Sequence, residues 1–223
     1  MSERIEELVA QSKDAIRAAL AAAGDKACYT CSFQLEDVAL LHLLREQKPD
    51  LPVYFLETGY HFPETTAYRD RLAKEWNLNL QNLTGLQSVA DQEAQFGKLY
   101  EANPTACCEA RKVEPLFRAL ENHELWFTGL RREQSPTRAN MQINEKAKLR
   151  SGRSIDKVSP LTFWTWRDVW AYAKAEKLPV LELYDRGYTS IGCAPCTALP
   201  SGDDLRSGRW GGKKLECGIH TQG

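Results

Sequence analysis

No stretch of this 223-residue chain is apolar for long enough to cross a bilayer, and the start Met1-Ser2-Glu3-Arg4 lacks the hydrophobic region of a secretory signal. Both absences point to a cytoplasmic protein that does not enter the membrane. Neither sign of charge is in excess: 29 Lys and Arg stand against 30 Asp and Glu, for a formal net charge of −1. That balance gives no global pull toward nucleic acid or an acidic surface, so any anion site has to be local. Walker A and GxGxxG sequences are missing, as are internal repeats and low-complexity tracts. With 43% hydrophobic residues, one domain with an appendage is the default at this length. Nothing in the sequence sets the oligomeric state, and a homo-oligomer is compatible with it.

The seven cysteines are distributed as three close pairs, Cys28/Cys31, Cys107/Cys108 and Cys193/Cys196, plus Cys217 alone near the chain end. In a reducing compartment such pairs read as metal binding or redox chemistry rather than disulfides. Cys107-Cys108 and Cys193-Ala194-Pro195-Cys196 supply four thiolates from two chain positions, enough for a tetrahedral zinc or an iron–sulfur cluster. Adjacent thiolates reach two irons of a cluster more readily than they surround one zinc. The pair also opens a predicted helix ahead of Arg111 and Lys112, which favours thiolates. Cys28 and Cys31 lie inside a predicted strand, where alternation turns them away from any common site, so they read as packing. Cys217, in a short basic tail, has the accessibility of a nucleophile that a partner protein can meet.

The N-terminal half alternates strand and helix. Helical spacing covers Ile5 to Ala23, Glu36 to Gln47, Pro63 to Trp76 and about Cys108 to Leu120. Strands are expected at Ala27 to Ser32, Pro52 to Leu56, Leu78 to Leu83 and Leu125 to Thr128. This is an α/β pattern, a mostly parallel sheet with helices on both faces. A hairpin through Ile143 to Val158 and an aromatic helix around Trp164 to Ala175 follow. Beyond Arg186 the chain is rich in Gly, Cys and Arg and has no periodicity, so residues 1–200 form the main domain and 201–223 a mobile tail. Ligands of such sheets bind where strands end, here in the loops Ser32-Phe33-Gln34-Leu35-Glu36-Asp37, Glu57-Thr58-Gly59 and Gly129-Leu130-Arg131-Arg132. Basic residues gather near them: Arg111, Lys112, Arg131, Arg132, Arg138, Arg206, Arg209, Lys213 and Lys214, which suits phosphate or sulfate.

These segments, with Cys107-Cys108-Glu109-Ala110-Arg111-Lys112, Ser135-Pro136-Thr137-Arg138, Gly208-Arg209-Trp210 and Glu216-Cys217-Gly218-Ile219-His220, resemble the assimilatory adenylyl-sulfate (APS) reductases of the APS/PAPS reductase family, iron–sulfur cluster type, over nearly the whole chain. The resemblance implies a Rossmann-like adenine-nucleotide α-hydrolase fold with a flexible active-site tail. It implies one 4Fe–4S cluster on Cys107, Cys108, Cys193 and Cys196, and Cys217 as the catalytic nucleophile. Lys112, Arg138, Arg206, Arg209 and His220 match basic positions that hold the phosphosulfate or support the cluster, and Arg131, in the matching Gly129-Leu130-Arg131-Arg132 loop, is a further candidate substrate contact. Ser32, Phe33 and Gln34, and Glu57, Thr58 and Gly59, match nucleotide-binding elements. Glu57 stands where Asp is common in the family.

The implied reaction is thioredoxin-dependent reduction of APS to sulfite and AMP through an S-sulfocysteine on Cys217, in sulfate assimilation toward cysteine. No thioredoxin-like domain follows Gly223, so the reductant is expected to be a separate protein. Reduction of PAPS by the same route is the nearest alternative. ATP pyrophosphatase or adenylyltransferase chemistry expects a Ser-Gly-Gly loop that is lacking, and a metal-binding sensor without catalysis leaves Cys217 without a role.

Overall fold

The computed structural model describes residues 1–202, 204–212, 214 and 216–220. Its strands are β1 (Ala27–Thr30), β2 (Val53–Glu57), β3 (Leu80–Thr84), β4 (Leu125–Thr128), β5 (Asn144–Lys148) and β6 (Ser154–Val158). They pair into one sheet of order β3-β2-β1-β4-β6-β5. Every pairing is parallel except that of β5 with β6, the expected hairpin. β5 closes one edge and carries the exposed side chains of Lys146 and Lys148.

Period-two alternation sorts the strand residues onto two faces. Tyr29, Val53, Phe55, Leu125 and Phe127 join one core cluster. It is covered by α1 (Glu3–Ala23), α2 (Leu35–Gln47), α3 (Pro63–Glu75) and α8 (Trp166–Ala175). Cys28, Tyr54 and Trp126 join the other, with Val113, Leu116, Phe117 and Leu120. Helices thus cover both sides of a mostly parallel sheet, giving a Rossmann-like α/β fold. Cys28 and Cys31 fall into opposite clusters, both buried, as strand alternation requires.

Local chemistry explains the helix ends. Gly24 takes φ 57° and donates its N–H to the Leu20 carbonyl, stopping α1. Pro63 opens α3. At α8 the Thr165 side chain caps Asp168 N while the Asp168 carboxylate returns to Thr165 N, and Arg4 clamps that carboxylate at 2.8 Å.

Two features differ from the sequence pattern. The span between β3 and Asn103 holds α4 (Val89–Phe96) and α5 (Leu99–Ala102), whose few apolar residues leave little periodicity to read. Cys107 and Cys108 do not open a helix. They end α6 (Pro104–Cys108), which Asn103 caps and Pro104 begins, and the chain runs through a π-turn at Glu109–Val113 into α7 (Glu114–Leu120). Favourable dipole effects fade beyond the first turn, so the two thiols lack the helix N-terminus expected for them.

From β1 the chain builds outward to β2 and β3, then returns to place β4 on β1's other side. The crevice between the ends of β1 and β4 is the topological switch point, where sheets of this kind receive ligands. Among the described residues no helix is long and apolar enough to cross a membrane.

Candidate active site

The loop leaving β1 is held by one carboxylate. Asp37 Oδ2 accepts from both the backbone N and the Oγ of Ser32, each at 2.6 Å. Burial pushes the Asp37 carboxyl up to about 6, with Glu36 adding to the rise. Residue 129 has to be glycine for this packing: a Cβ there would stand 1.9 Å from Asp37 Oδ1. Phe33 bends the loop at φ 60° and sends its ring into the core against Phe55.

Behind this loop lies a cavity of about 160 Å³. Ser32, Gln34, Glu36 and Asp37 line it at the end of β1, Gly129 and Leu130 at the end of β4, and Lys112, Arg138, Arg206 and Arg209 on the cationic side. Cys217 and His220 close it from the tail. Arg209 lies flat against Gly192, where a Cβ would meet its Nη2 at 2.2 Å, and it donates to Ser190 Oγ at 3.1 Å. Burial lowers the pKa of Arg209, and it also lowers that of Arg206, where Arg138 and Arg209 contribute. His220 stacks on Trp126 with ring centroids 5.4 Å apart, and its Nδ1 is buried with no hydrogen-bond partner among the described residues. Burial, then Arg138, Lys157 and Arg206, hold its imidazole well below the ordinary range and therefore neutral.

A second, smaller void adjoins the first. Cys107, Cys108, Cys193 and Cys196 line it together, with Thr58, Arg111, Lys112, Arg209 and the rings of Tyr60 and Trp210. Burial pushes the Cys107 thiol up to about 12, and Cys108, Cys193 and Cys196 add to that by repulsion. Among the described residues no three His, Cys, Asp or Glu side chains converge closely enough to grip one ion, and the void is about 10 Å³, the room of one water. The donor set is nonetheless that of a thiolate-ligated centre. Four sulfurs face one space with no carboxylate or imidazole among them, and a multivalent cation would relieve their mutual repulsion.

Lys112 lines both cavities. Burial opposes its charge, but Cys193, Cys217 and Cys108 outweigh that and raise its pKa. The loop after β2 is stitched to the CxxC segment by a His61–Cys193 bridge, by Ala194 N to Tyr60 O at 2.7 Å, and by Thr58 Oγ1 3.3 Å from Cys193 Sγ. His61 packs on Phe55, and burial with Lys112 lowers its pKa to about 4.

The structure therefore gathers Ser32, Gln34, Lys112, Arg138, Arg206, Arg209, His220 and Cys217 around one cavity, and the four cysteines around the other. Several expected substrate contacts sit elsewhere. Glu57 is engaged with Arg69 at 2.7 Å and with Gly59 N at 3.0 Å, so it shapes its own turn. Gly59 packs under Val89, Thr58 faces the cysteines, and Phe33 is core. Arg131 is buried, pairs with Glu133 and donates to the Trp164 carbonyl. Ala198 N donates to Gly208 O, and Thr197 bridges Arg209, so the start of the tail is tied to the domain. Lys213 lies outside the described residues.

Two polar residues were not foreseen at the site. Gln134 Nε2 donates to Glu36 Oε1 at 2.7 Å while its Oε1 accepts from Arg131 N and Arg138 Nη1. Glu216 accepts from Arg138 Nη2 at 2.6 Å and from Thr137 Oγ1 at 3.1 Å. Its place directly before the tail thiol was the one signal available for Glu216.

Comparison with known proteins gives a consistent picture. The family model described as phosphoadenosine phosphosulfate reductase domain matches residues 26–199. An adenosine 5'-phosphosulfate reductase of Geobacillus kaustophilus (strain HTA426) is 47% identical over 203 residues, covering 88% of this chain and 84% of that protein. A phosphoadenosine 5'-phosphosulfate reductase of Gloeobacter violaceus (strain ATCC 29082 / PCC 7421) is 47% identical over 204 residues, covering 89% and 83%. Among solved structures, the phosphate complex of phosphoadenylyl-sulfate (PAPS) reductase from Candida auris matches with a TM-score of 0.71 at 26% identity, over 89% of this chain and 98% of that one.

Proposed function

Because this chain belongs to the APS/PAPS reductase family of oxidoreductases, we propose that it reduces adenylyl sulfate to sulfite and AMP, with a thioredoxin-type dithiol protein as electron donor. One observation carries the reading: Cys217 stands on the wall of the switch-point cavity together with Lys112, Arg138, Arg206 and Arg209. A thiol beside that many cations suits attack on a sulfur whose oxygens carry negative charge.

The steps balance as follows. The Cys217 thiolate attacks the sulfate sulfur, and the bond from that sulfur to the bridging oxygen breaks. AMP leaves with the electron pair, and the enzyme carries S-sulfocysteine. A donor thiolate then attacks Cys217 Sγ, sulfite departs with the electron pair, and a mixed disulfide forms. The second donor thiol resolves it, so two electrons pass from dithiol to sulfur and Cys217 is regenerated. In this scheme residues 216–220, which carry the Cys217 thiol, close on the nucleotide and reopen to the donor.

Cys107, Cys108, Cys193 and Cys196 are the residues that would hold a 4Fe–4S cluster, whose bound charge would set the local field at the substrate. Lys112, on the wall of both cavities, links that centre to the anion. Loss of iron and acid-labile sulfide, in equal amounts, on substituting Cys193 with Ser is the expected signature of this ligation. The reaction itself is tested with ³⁵S-labelled APS. Wild-type protein is expected to accumulate a radiolabelled adduct on Cys217 that thioredoxin discharges as sulfite, and Cys217→Ser to form none. A stable adduct on Cys217→Ser would remove the assigned nucleophile. The same assay with PAPS decides between the two nucleotides.

A further inference from the structure

Beside the stacking of His220 on Trp126, a buried ion pair holds the tail thiol at the cavity. Glu216, the residue before Cys217, accepts from Arg138 Nη2 at 2.6 Å and Thr137 Oγ1 at 3.1 Å, and lies 3.9 Å from Arg206 Nη2. The Arg138 and Glu216 side chains are only 10% and 9% exposed. At that burial a charge-assisted pair is screened little by solvent, and losing one partner strands the other.

The anchor is itself rigid. Arg138 Nη1 donates to Gln134 Oε1, which also accepts from Arg131 N at 3.0 Å. Gln134 Nε2 continues to Glu36 Oε1 at 2.7 Å on the loop that leaves β1. Ser135 Oγ accepts from Thr137 N and fixes the turn that presents both Thr137 and Arg138. A single hydrogen-bonded path therefore runs from the nucleotide loop through Gln134 and Arg138 to Glu216 and the next residue, Cys217.

Glu216 has two physical possibilities. As a surrogate anion it would compete with the substrate for Arg138. The donors argue otherwise: Glu216 takes Nη2 and Gln134 takes Nη1, while Arg138 Nε is buried with no hydrogen-bond partner among the described residues. Arg138 can keep Glu216 and still offer a donor to a bound oxyanion. We propose that Glu216 is the positioning residue for Cys217: it clamps the tail onto Arg138 and Thr137, and Arg138 carries that register to the substrate. The inference rests on the proposed reduction for its kinetic consequence, but the clamp itself can be read without substrate.

Two measurements test it on the full-length protein. The first is the rate at which iodoacetamide alkylates Cys217, followed by peptide mass spectrometry. Glu216→Gln is expected to raise that rate about fivefold or more by releasing the tail, and an unchanged rate overturns the clamp. The second is the single-turnover rate of adduct formation from APS beside the binding constant for AMP. Glu216→Gln is expected to slow the turnover about tenfold with AMP binding held within about twofold. Undiminished turnover with tighter APS binding overturns positioning in favour of competition. Thr137→Ala removes one contact and keeps both charges, so it is expected to move both readouts in the same direction by a smaller factor. This milder variant serves if Glu216→Gln does not fold. If wild-type protein forms no adduct, the assigned reaction fails while the alkylation comparison still decides the clamp.

Discussion

Two titrating residues near the cavity oppose one another in acid. Asp37 is pushed up to about 6 from its ordinary 3.8. Folding thus favours its protonated form, a stabilisation complete below 3.8 and lost as pH rises through about 6. His61 is lowered to about 4 from 6.5, so its stabilisation is complete above 6.5 and lost as pH falls toward 4. Each shift corresponds to about 3 kcal/mol by linkage, and in wild-type protein they nearly cancel between pH 6.5 and 4. Asp37→Asn removes one side of the balance. Urea unfolding at the two pH values is expected to show an acid loss about 2 kcal/mol greater in the variant than in wild-type. Equal losses would mean that Asp37 titrates normally in the fold.

At the scale of elements, the π-turn at Glu109–Val113 decides where the cysteine pair points, and Arg111 locks it. Arg111 Nε donates to Thr58 O at 2.6 Å and Nη1 to Gln87 O at 2.9 Å, tying three chain segments behind the thiols. Arg111→Met leaves both carbonyls without their charged donor and is expected to cost about 2–4 kcal/mol in chemical denaturation. Faster alkylation of Cys107 should accompany that loss. The central strands were legible as short apolar runs buried on both faces, Ala27 to Tyr29 and Val53 to Phe55, and α1 from the helical spacing of its buried Ile5, Leu8, Ser12 and Ile16. The π-turn was not, since an extra residue in one helical turn leaves no mark on composition. Among site residues, the cysteine pairs, Lys112 and Arg138 were legible from spacing and charge. Gln134 and the partners of Glu57 were not, because an uncharged amide or a local turn contact declares itself only through geometry. Arg131 shows the converse: it belongs to the right loop but is turned inward to Glu133 and the Trp164 carbonyl.

For the whole molecule, the order β3-β2-β1-β4-β6-β5 leaves two strands with an unpaired side. The hydrogen-bonding groups along β5 would accept a strand from any neighbouring molecule. Lys146 and Lys148 stand exposed along that strand, so stacking two copies edge to edge would bring like charges together across the new pair. Replacing both by Val is expected to turn this rim into a template, visible as concentration-dependent turbidity and thioflavin binding that wild-type protein lacks at the same concentration. Unaltered light scattering by the double variant would show that something other than these lysines guards the rim. Two surface lysines outside the two cavities are thus expected to set how closely copies of this protein can approach one another along the β5 rim.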